Sequence, residues 1–261
     1  DSIVMPISLY DIINVEKSER NEVNITIKND KDVFGNKFSI LKEQNTAYKA
    51  VMLFKELFSI SDGFNIEIEK NIPCFSGLGG SSADGAAVIK ALIEMYKLDN
   101  DEDEINAAAA EIGKDVPFML HNQIAIISGF GEQVRKVNGA KFDVGIINCP
   151  IGNSTKDVYE KFDQLGGNEL NSSLSEQVNY LLEQGDYEKA KKFMKNDLST
   201  AAFSLNEQMR TINKLCKDCN IETFVTGSGS GMFVPFITQT QQQKLKDIGV
   251  KFKTYKTLNN N

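Results

Sequence analysis

The chain has 261 residues, 41% hydrophobic and 25% charged, with a formal net charge of -7. That composition suits a globular chain with one substantial core or two smaller ones. The acidic balance excludes a broad nucleic-acid-binding surface and leaves room for a local basic pocket. No run of about 18 apolar residues offers a membrane span, and the opening Asp1-Ser2-Ile3 is not a signal peptide. It also lacks a methionine, so the sequence is expected to begin partway into a longer protein. Cys74, Cys149, Cys216 and Cys219 are too few for a disulfide scaffold and read as free thiols of a reducing, cytoplasmic compartment. Cys216 and Cys219 have redox or metal-ligand spacing, but no second cysteine pair accompanies them and His121 is distant, so neither role is expected.

Residues 3–10 and 23–28 read as strands, with a turn at 29–32. Ala47, Ala50, Val51, Phe54 and Leu57 recur at helical spacing, which predicts a helix over 45–57 capped by Asn45. Residues 64–70 alternate apolar with polar or charged side chains like a half-buried strand, closed by Lys70, for which a solvated strand end is one of two open readings. A glycine- and serine-rich loop follows Pro73, and Val88, Ile89, Leu92 and Ile93 mark a helix over 86–96. The acidic run Asp101-Glu102-Asp103-Glu104 opens a helix over 105–112 and complements its dipole from a solvated face. Gly113 ends that helix. Asp115, with Pro117 two residues on, has the pattern of a helix N-cap. His121 reads as a surface residue entering a strand.

Strands are predicted over 123–128 and 132–137, around Gly129-Phe130-Gly131, and over 142–148. The domain boundary is placed at Cys149-Pro150, giving units 1–150 and 151–261. Helices are expected over 155–165, 175–183, 187–194, 206–219 and 239–246, and strands over 223–226, 232–236 and 250–255. Helices and strands mix in both halves, so the class is α+β or mixed α/β, with two lobes.

The organising stretch is the strand, loop and helix across 64–96. Gly77, Gly79 and Gly80 let the backbone approach a ligand closely and take positive φ. Ser81, Ser82 and the following amides lie at a helix N-terminus, where free N–H groups and the dipole favour an anion. No lysine or arginine lies inside the loop, so it matches neither a Walker A loop nor a dinucleotide fingerprint. On these residues alone an ordinary loop with a serine cap is the plainer alternative. The second glycine run, 227–231, is either a hairpin turn or a backbone cradle near phosphate.

The run Pro73-Cys74-Phe75-Ser76-Gly77-Leu78-Gly79-Gly80-Ser81-Ser82-Ala83 resembles the phosphate loop of the GHMP kinases. Further stretches narrow the match. Gly113-Lys114-Asp115-Val116-Pro117-Phe118-Met119-Leu120, Gly129-Phe130-Gly131-Glu132 and Ser154-Thr155-Lys156-Asp157-Val158-Tyr159 are similar to one branch, the 4-diphosphocytidyl-2-C-methyl-D-erythritol kinases of the non-mevalonate isoprenoid pathway. So are Asn196-Asp197-Leu198 and Thr226-Gly227-Ser228-Gly229-Ser230-Gly231. The resemblance runs in order from Asp1 to about Phe236.

The resemblance implies a two-lobed fold, with an N-terminal lobe like the second domain of ribosomal protein S5 and a ferredoxin-like C-terminal lobe. It implies ATP and Mg²⁺ as cofactors and a cytidyl diphospho-methylerythritol substrate, with no nucleic-acid or membrane partner, in a monomer or homodimer. Nucleotide contacts would come from Asn45, Lys70, Pro73, Ser76, Gly77, Leu78, Gly79, Gly80, Ser81 and Ser82, with Ser82 also at the metal. Asp115 would be the catalytic base, and Thr155, Gly227, Ser228 and Gly229 would line the substrate side. The branch's N-terminal Lys-Ile-Asn and the Gly-Tyr-His-Glu after it do not occur here: the sequence starts at the residues that normally follow them, as either a truncated chain or a divergent protein that has lost that segment. The loop spelling Ser81-Ser82-Ala83-Asp84-Gly85 is closer to the wider superfamily. Two alternatives follow: another small-molecule kinase of the superfamily, acting on a mevalonate-type or sugar substrate, or a nucleotide-binding protein inactive without the lysine motif.

Overall fold

β1 (Ser2–Val4), β2 (Ile12–Ser18), β3 (Val23–Ile27), α1 (Thr46–Leu57) and β4 (Gly63–Glu69) open the chain. The computed structural model describes residues 1–29, 31–35, 41–98, 101–129, 131, 133–167 and 174–258. The first expected strand is short, because Pro6 cannot donate to a ladder, and the chain resumes pairing only at an Ile7–Thr257 bridge. β2 was not among the expected strands. β4 lies between β2, which it pairs antiparallel, and β3, which it pairs parallel across the α1 crossover. Val15, Ile66 and Ile25 stand side by side in that register and share one face.

That face is covered by α1 and α2 (Gly80–Tyr96). Ala47, Ala50, Val51 and Phe54 of α1 and Val88, Ile89 and Leu92 of α2 close on Phe64, Ile66 and Ile68 of β4, all buried. Each large apolar side chain so buried contributes about 1.5–3 kcal/mol. α2 begins six residues before the expected start, so Gly80, Ser81 and Ser82 form its first turn.

α3 (Glu102–Ile112) and α4 (Val116–His121) pack beside α2, and β5 (Ala125–Ser128) pairs with β1 and with β6 (Gln133–Lys136). Gly113 ends α3 as expected, in extended backbone with φ 179°. One sequence expectation needs correcting here. His121 is the last residue of α4, its Nδ1 3.3 Å from Glu102, not a strand-entry residue. Phe130 and Glu132, part of a motif singled out above, lie outside the described residues.

The remainder comprises β7 (Asp143–Ile147), α5 (Thr155–Gln164), α6 (Leu174–Glu183), α7 (Tyr187–Phe193), α8 (Ser199–Leu205), α9 (Glu207–Asp218), β8 (Phe224–Val225), β9 (Met232–Pro235), α10 (Gln239–Asp247) and β10 (Phe252–Lys256). Its antiparallel sheet has the order β10-β7-β9-β8, which for strands numbered within the unit is 4-1-3-2, the ferredoxin-like arrangement. β7 therefore opens the second unit, whereas a division at residue 150 would leave it with the first. Ile147, Met232, Val234 and Leu245 are buried in this unit's own core.

Candidate active site

Gly79 takes φ +72° and caps α2, and the first helical bond runs from the Ala83 amide to the Gly79 carbonyl at 2.9 Å. The amides of Gly80, Ser81 and Ser82 thus have no intrahelical acceptor and point out of the helix end. Their partial positive charge and the dipole favour an anion there. Ser81 is exposed and Ser82 half-buried at this end. Ser76 is different: it is buried, its hydroxyl donates to the Pro73 carbonyl at 2.7 Å, and it shapes the loop from within. Leu78 is half-buried and Pro73 buried, so they too are scaffold at their side chains.

α4 stands against this loop. A Cβ on Gly79 would lie 2.3 Å from the Met119 Cε, so the two are packed without space between them. The Met119 amide donates to the Asp115 carbonyl at 3.1 Å, which puts Asp115 one turn earlier on the same side. Asp115 precedes α4 as the N-cap pattern predicts, but its side chain caps nothing. Much of the residue is open to solvent, while the protein on its inner side displaces enough water to raise the carboxyl above the usual aspartate range. Lys114 pulls the other way. The site therefore holds an uncommitted carboxylate beside an anion cradle.

Lys70 is not a solvated strand end. It is 2% exposed, and its ammonium lies between Asp84, at 2.8 Å, and Asp11, in a close ion pair. Burial alone would pull the lysine down, but the charges of Asp84 and Asp11 hold it above its ordinary value. Burial drives Asp84 up to about 7, against the pull of Lys70 and with the Asp11 charge adding to the rise.

The second glycine run meets the first. The Ser230 and Gly231 amides donate to the carbonyls of Phe75 and Ser76, each at 3.0 Å, and the Thr226 hydroxyl reaches Ser76 at 2.5 Å. Gly77 has φ +72°, and a Cβ there would sit 2.1 Å from the Thr226 carbonyl, so only glycine fits this seam. Ser228 and Thr155 hydroxyls are 3.0 Å apart at the start of α5, and Asn153 donates to the Ser228 carbonyl at 3.2 Å. Asn206 holds Asn153 in turn, and Asn196 donates to Gly227 at 2.7 Å.

Asn45 caps α1 through the Ala47 amide at 2.9 Å, and the next residue, Thr46, hydrogen bonds to the Ser81 carbonyl. The expected residues thus surround one loop, with Lys70 beneath it rather than facing into it. Asp11, Asp84, Thr46, Asn153, Asn196 and Asn206 were not foreseen. Of these Asp84 stood in the loop spelling and Asn196 in a motif read from the sequence, and the partners of the rest are distant in the chain. Cys149 and Cys216 are buried, their thiols pushed up to about 12 and 11 by desolvation, which leaves them inert. Among the described residues no helix is long and apolar enough to cross a membrane, and no cluster of three His, Cys, Asp or Glu could hold a metal.

Residues 45–129 match the family described as GHMP kinases N terminal domain. A 4-diphosphocytidyl-2-C-methyl-D-erythritol kinase of Caldicellulosiruptor bescii is 33% identical over 234 residues, spanning 89% of this chain and 79% of its own. The crystal structure of a 4-(cytidine 5'-diphospho)-2C-methyl-D-erythritol kinase superposes with a TM-score of 0.74 at 22% identity, covering 98% of this chain and 88% of that one. The L. major mevalonate kinase in complex with R-mevalonate gives 0.71 at 17% identity, covering 99% and 89%.

Proposed function

The chain belongs to the GHMP kinase family, as a small-molecule kinase, and from that premise we propose that it phosphorylates the 2-hydroxyl of 4-diphosphocytidyl-2-C-methyl-D-erythritol with ATP, in non-mevalonate isoprenoid precursor biosynthesis. The observation that carries the reading is the Gly79–Met119 packing, which sets an uncommitted Asp115 beside the open amides of α2. Phosphoryl transfer asks a protein chiefly for positioning and charge stabilisation. The amides of Gly80, Ser81 and Ser82 hold the ATP phosphates, with Gly77 and Gly79 giving the close backbone approach. Asp115 orients the substrate hydroxyl and takes its proton as the new bond to phosphorus forms. Asn45 stands at the nucleotide end, and Thr155, Gly227, Ser228 and Gly229 on the alcohol side.

Mg²⁺ suits this donor set. With no acidic cage among the described residues, an ion would arrive on the phosphates and keep waters, as Mg²⁺ does. Ser82, half-buried in the first turn of α2, would hold it. When bound it neutralises charge developing on the phosphate oxygens.

The substrate assignment is supported by the relative's name and by the stretches around Asp115 and Thr155. The mevalonate kinase superposes nearly as well, which keeps a mevalonate-type alcohol as the second reading. ADP release measured with each alcohol in turn separates them. The cytidyl substrate is expected to be turned over and mevalonate and homoserine not. Turnover of mevalonate with none of the cytidyl compound would overturn the substrate and keep the kinase.

A further inference from the structure

The loop that would hold the phosphates is closed at its base by one buried ammonium. Lys70 enters the loop from β4, and its backbone is gripped on both sides by Asn29, whose Oδ1 accepts from the Lys70 amide at 2.7 Å and whose Nδ2 donates to its carbonyl at 2.6 Å. Asp11 then spans the entry. One of its oxygens accepts from the Asn71 and Ile72 amides at 2.5 and 2.8 Å, and the other meets the Lys70 ammonium. On the exit side, Gly80 and Asp84 lie one turn apart on the face of α2 that looks down on Lys70. A Cβ on Gly80 would stand 3.5 Å from the Lys70 Nζ and 2.8 Å from Ile72. Asp84 bonds Nζ through one oxygen, and its other oxygen is buried without a hydrogen-bond partner. All three side chains are 2–3% exposed.

Burying three ionisable groups for stability alone is a poor arrangement, since apolar residues of similar volume often do as well. What the arrangement does supply is position. It ties the entry at 70–72 to the exit at 80–84, across a loop whose glycines would otherwise leave it many conformations. We propose that Asp11, Lys70 and Asp84 form a clamp that holds the amides of Gly80, Ser81 and Ser82 on the phosphate site, with Lys70 a positioning residue whose ammonium does not touch the nucleotide. This rests on the phosphate-loop reading above.

A double-mutant cycle on Lys70→Met and Asp84→Asn tests it, reading KM for ATP, KM for the alcohol and kcat, with hydrogen exchange of the loop amides in the nucleotide-free protein. Each single variant is expected to raise KM for ATP about tenfold or more and to leave KM for the alcohol within about twofold. The double variant should do no more than the worse single, because one clamp can be opened only once. Loss of folded protein alone would lower kcat and leave both KM values, so the split separates positioning from stability. Should Lys70→Met not fold, Lys70→Arg keeps the charge and alters the geometry, and the same pattern is expected at smaller size. Faster exchange over 76–82 in both variants supports the clamp even if the wild-type protein binds no ATP, an outcome that would sink the phosphate-loop reading by itself. If Asp84→Asn leaves both KM for ATP and loop exchange unchanged while Lys70→Met raises KM, the ammonium contacts the nucleotide directly and the clamp is wrong.

Discussion

Asp115 shows how a single residue can carry two readings until its partners are known. The sequence pattern Asp115-Val116-Pro117 fits a helix cap, yet the carboxylate accepts no amide of α4. A cap would have been held below the usual range by such bonds, whereas this carboxyl is raised by desolvation. A general base works only when ionised, so kcat/KM should fall as pH drops through a value above the ordinary aspartate one, and stay level above it. Asp115→Asn should remove that limb, lower turnover by about 10²–10⁴-fold and leave ATP binding nearly intact. Unchanged turnover would return Asp115 to a structural role. Lys70 is the opposite case. Nothing in Ile68-Glu69-Lys70 distinguishes a solvated lysine from a buried one, because the difference lies in Asp11 and Asp84, 59 and 14 residues away. Asn45 was legible as a cap because the amide it accepts from is two residues on.

Among the elements, legibility followed how local the causes are. α1, α5 and α10 each begin directly after a side-chain N-cap, at Asn45, Ser154 and Thr238, and α10 carries a full capping box at Thr238 and Gln241. β2 has only Ile13 and Val15 turned toward the core, and its pairing with β4 fixes it rather than its own pattern. α8 begins without a side-chain cap and is held by packing against α5 and α9. The early start of α2 has a comparable origin: glycines and serines are weak helix formers, and the clamp and the Met119 contact hold them in a helical turn. The loop before α2 can be probed at Gly77. An alanine there keeps a left-handed backbone at about 1–2 kcal/mol and adds an overlap with the Thr226 carbonyl. Gly185→Ala makes the control, since it has φ +73° and nothing within 4 Å. Gly77→Ala is expected to lower Tm distinctly more than Gly185→Ala does, and to weaken ATP binding as well. Equal shifts would mean the seam yields without cost.

For the whole molecule the question is whether the two units act as one site. The ferredoxin-like sheet and the α1–α2 core bury separate sets of side chains, and hydrogen bonds between Phe75–Ser76 and Ser230–Gly231 link the two glycine runs. The Thr226 hydroxyl is central to that seam, shared between the Ser76 and Gly231 carbonyls at 2.5 and 3.1 Å. Thr226→Val keeps the shape and removes the donor, which should cost about 1 kcal/mol of stability. Thr223→Val offers a matched loss inside one unit, where the hydroxyl donates to Asn213 at 2.9 Å. The two are distinguished by ATP. A ligand at a hundred times its Kd stabilises the wild-type protein by about 2.7 kcal/mol, and each tenfold loss of affinity removes about 1.4 kcal/mol of that gain. If the second glycine run helps to hold the first in its binding shape, Thr226→Val loses part of the ATP-dependent rise in Tm at fixed ATP, while Thr223→Val keeps all of it. Equal rises in the two variants would show that the phosphate loop is held from its own unit alone, and that the Thr226 seam contributes stability without a share in binding.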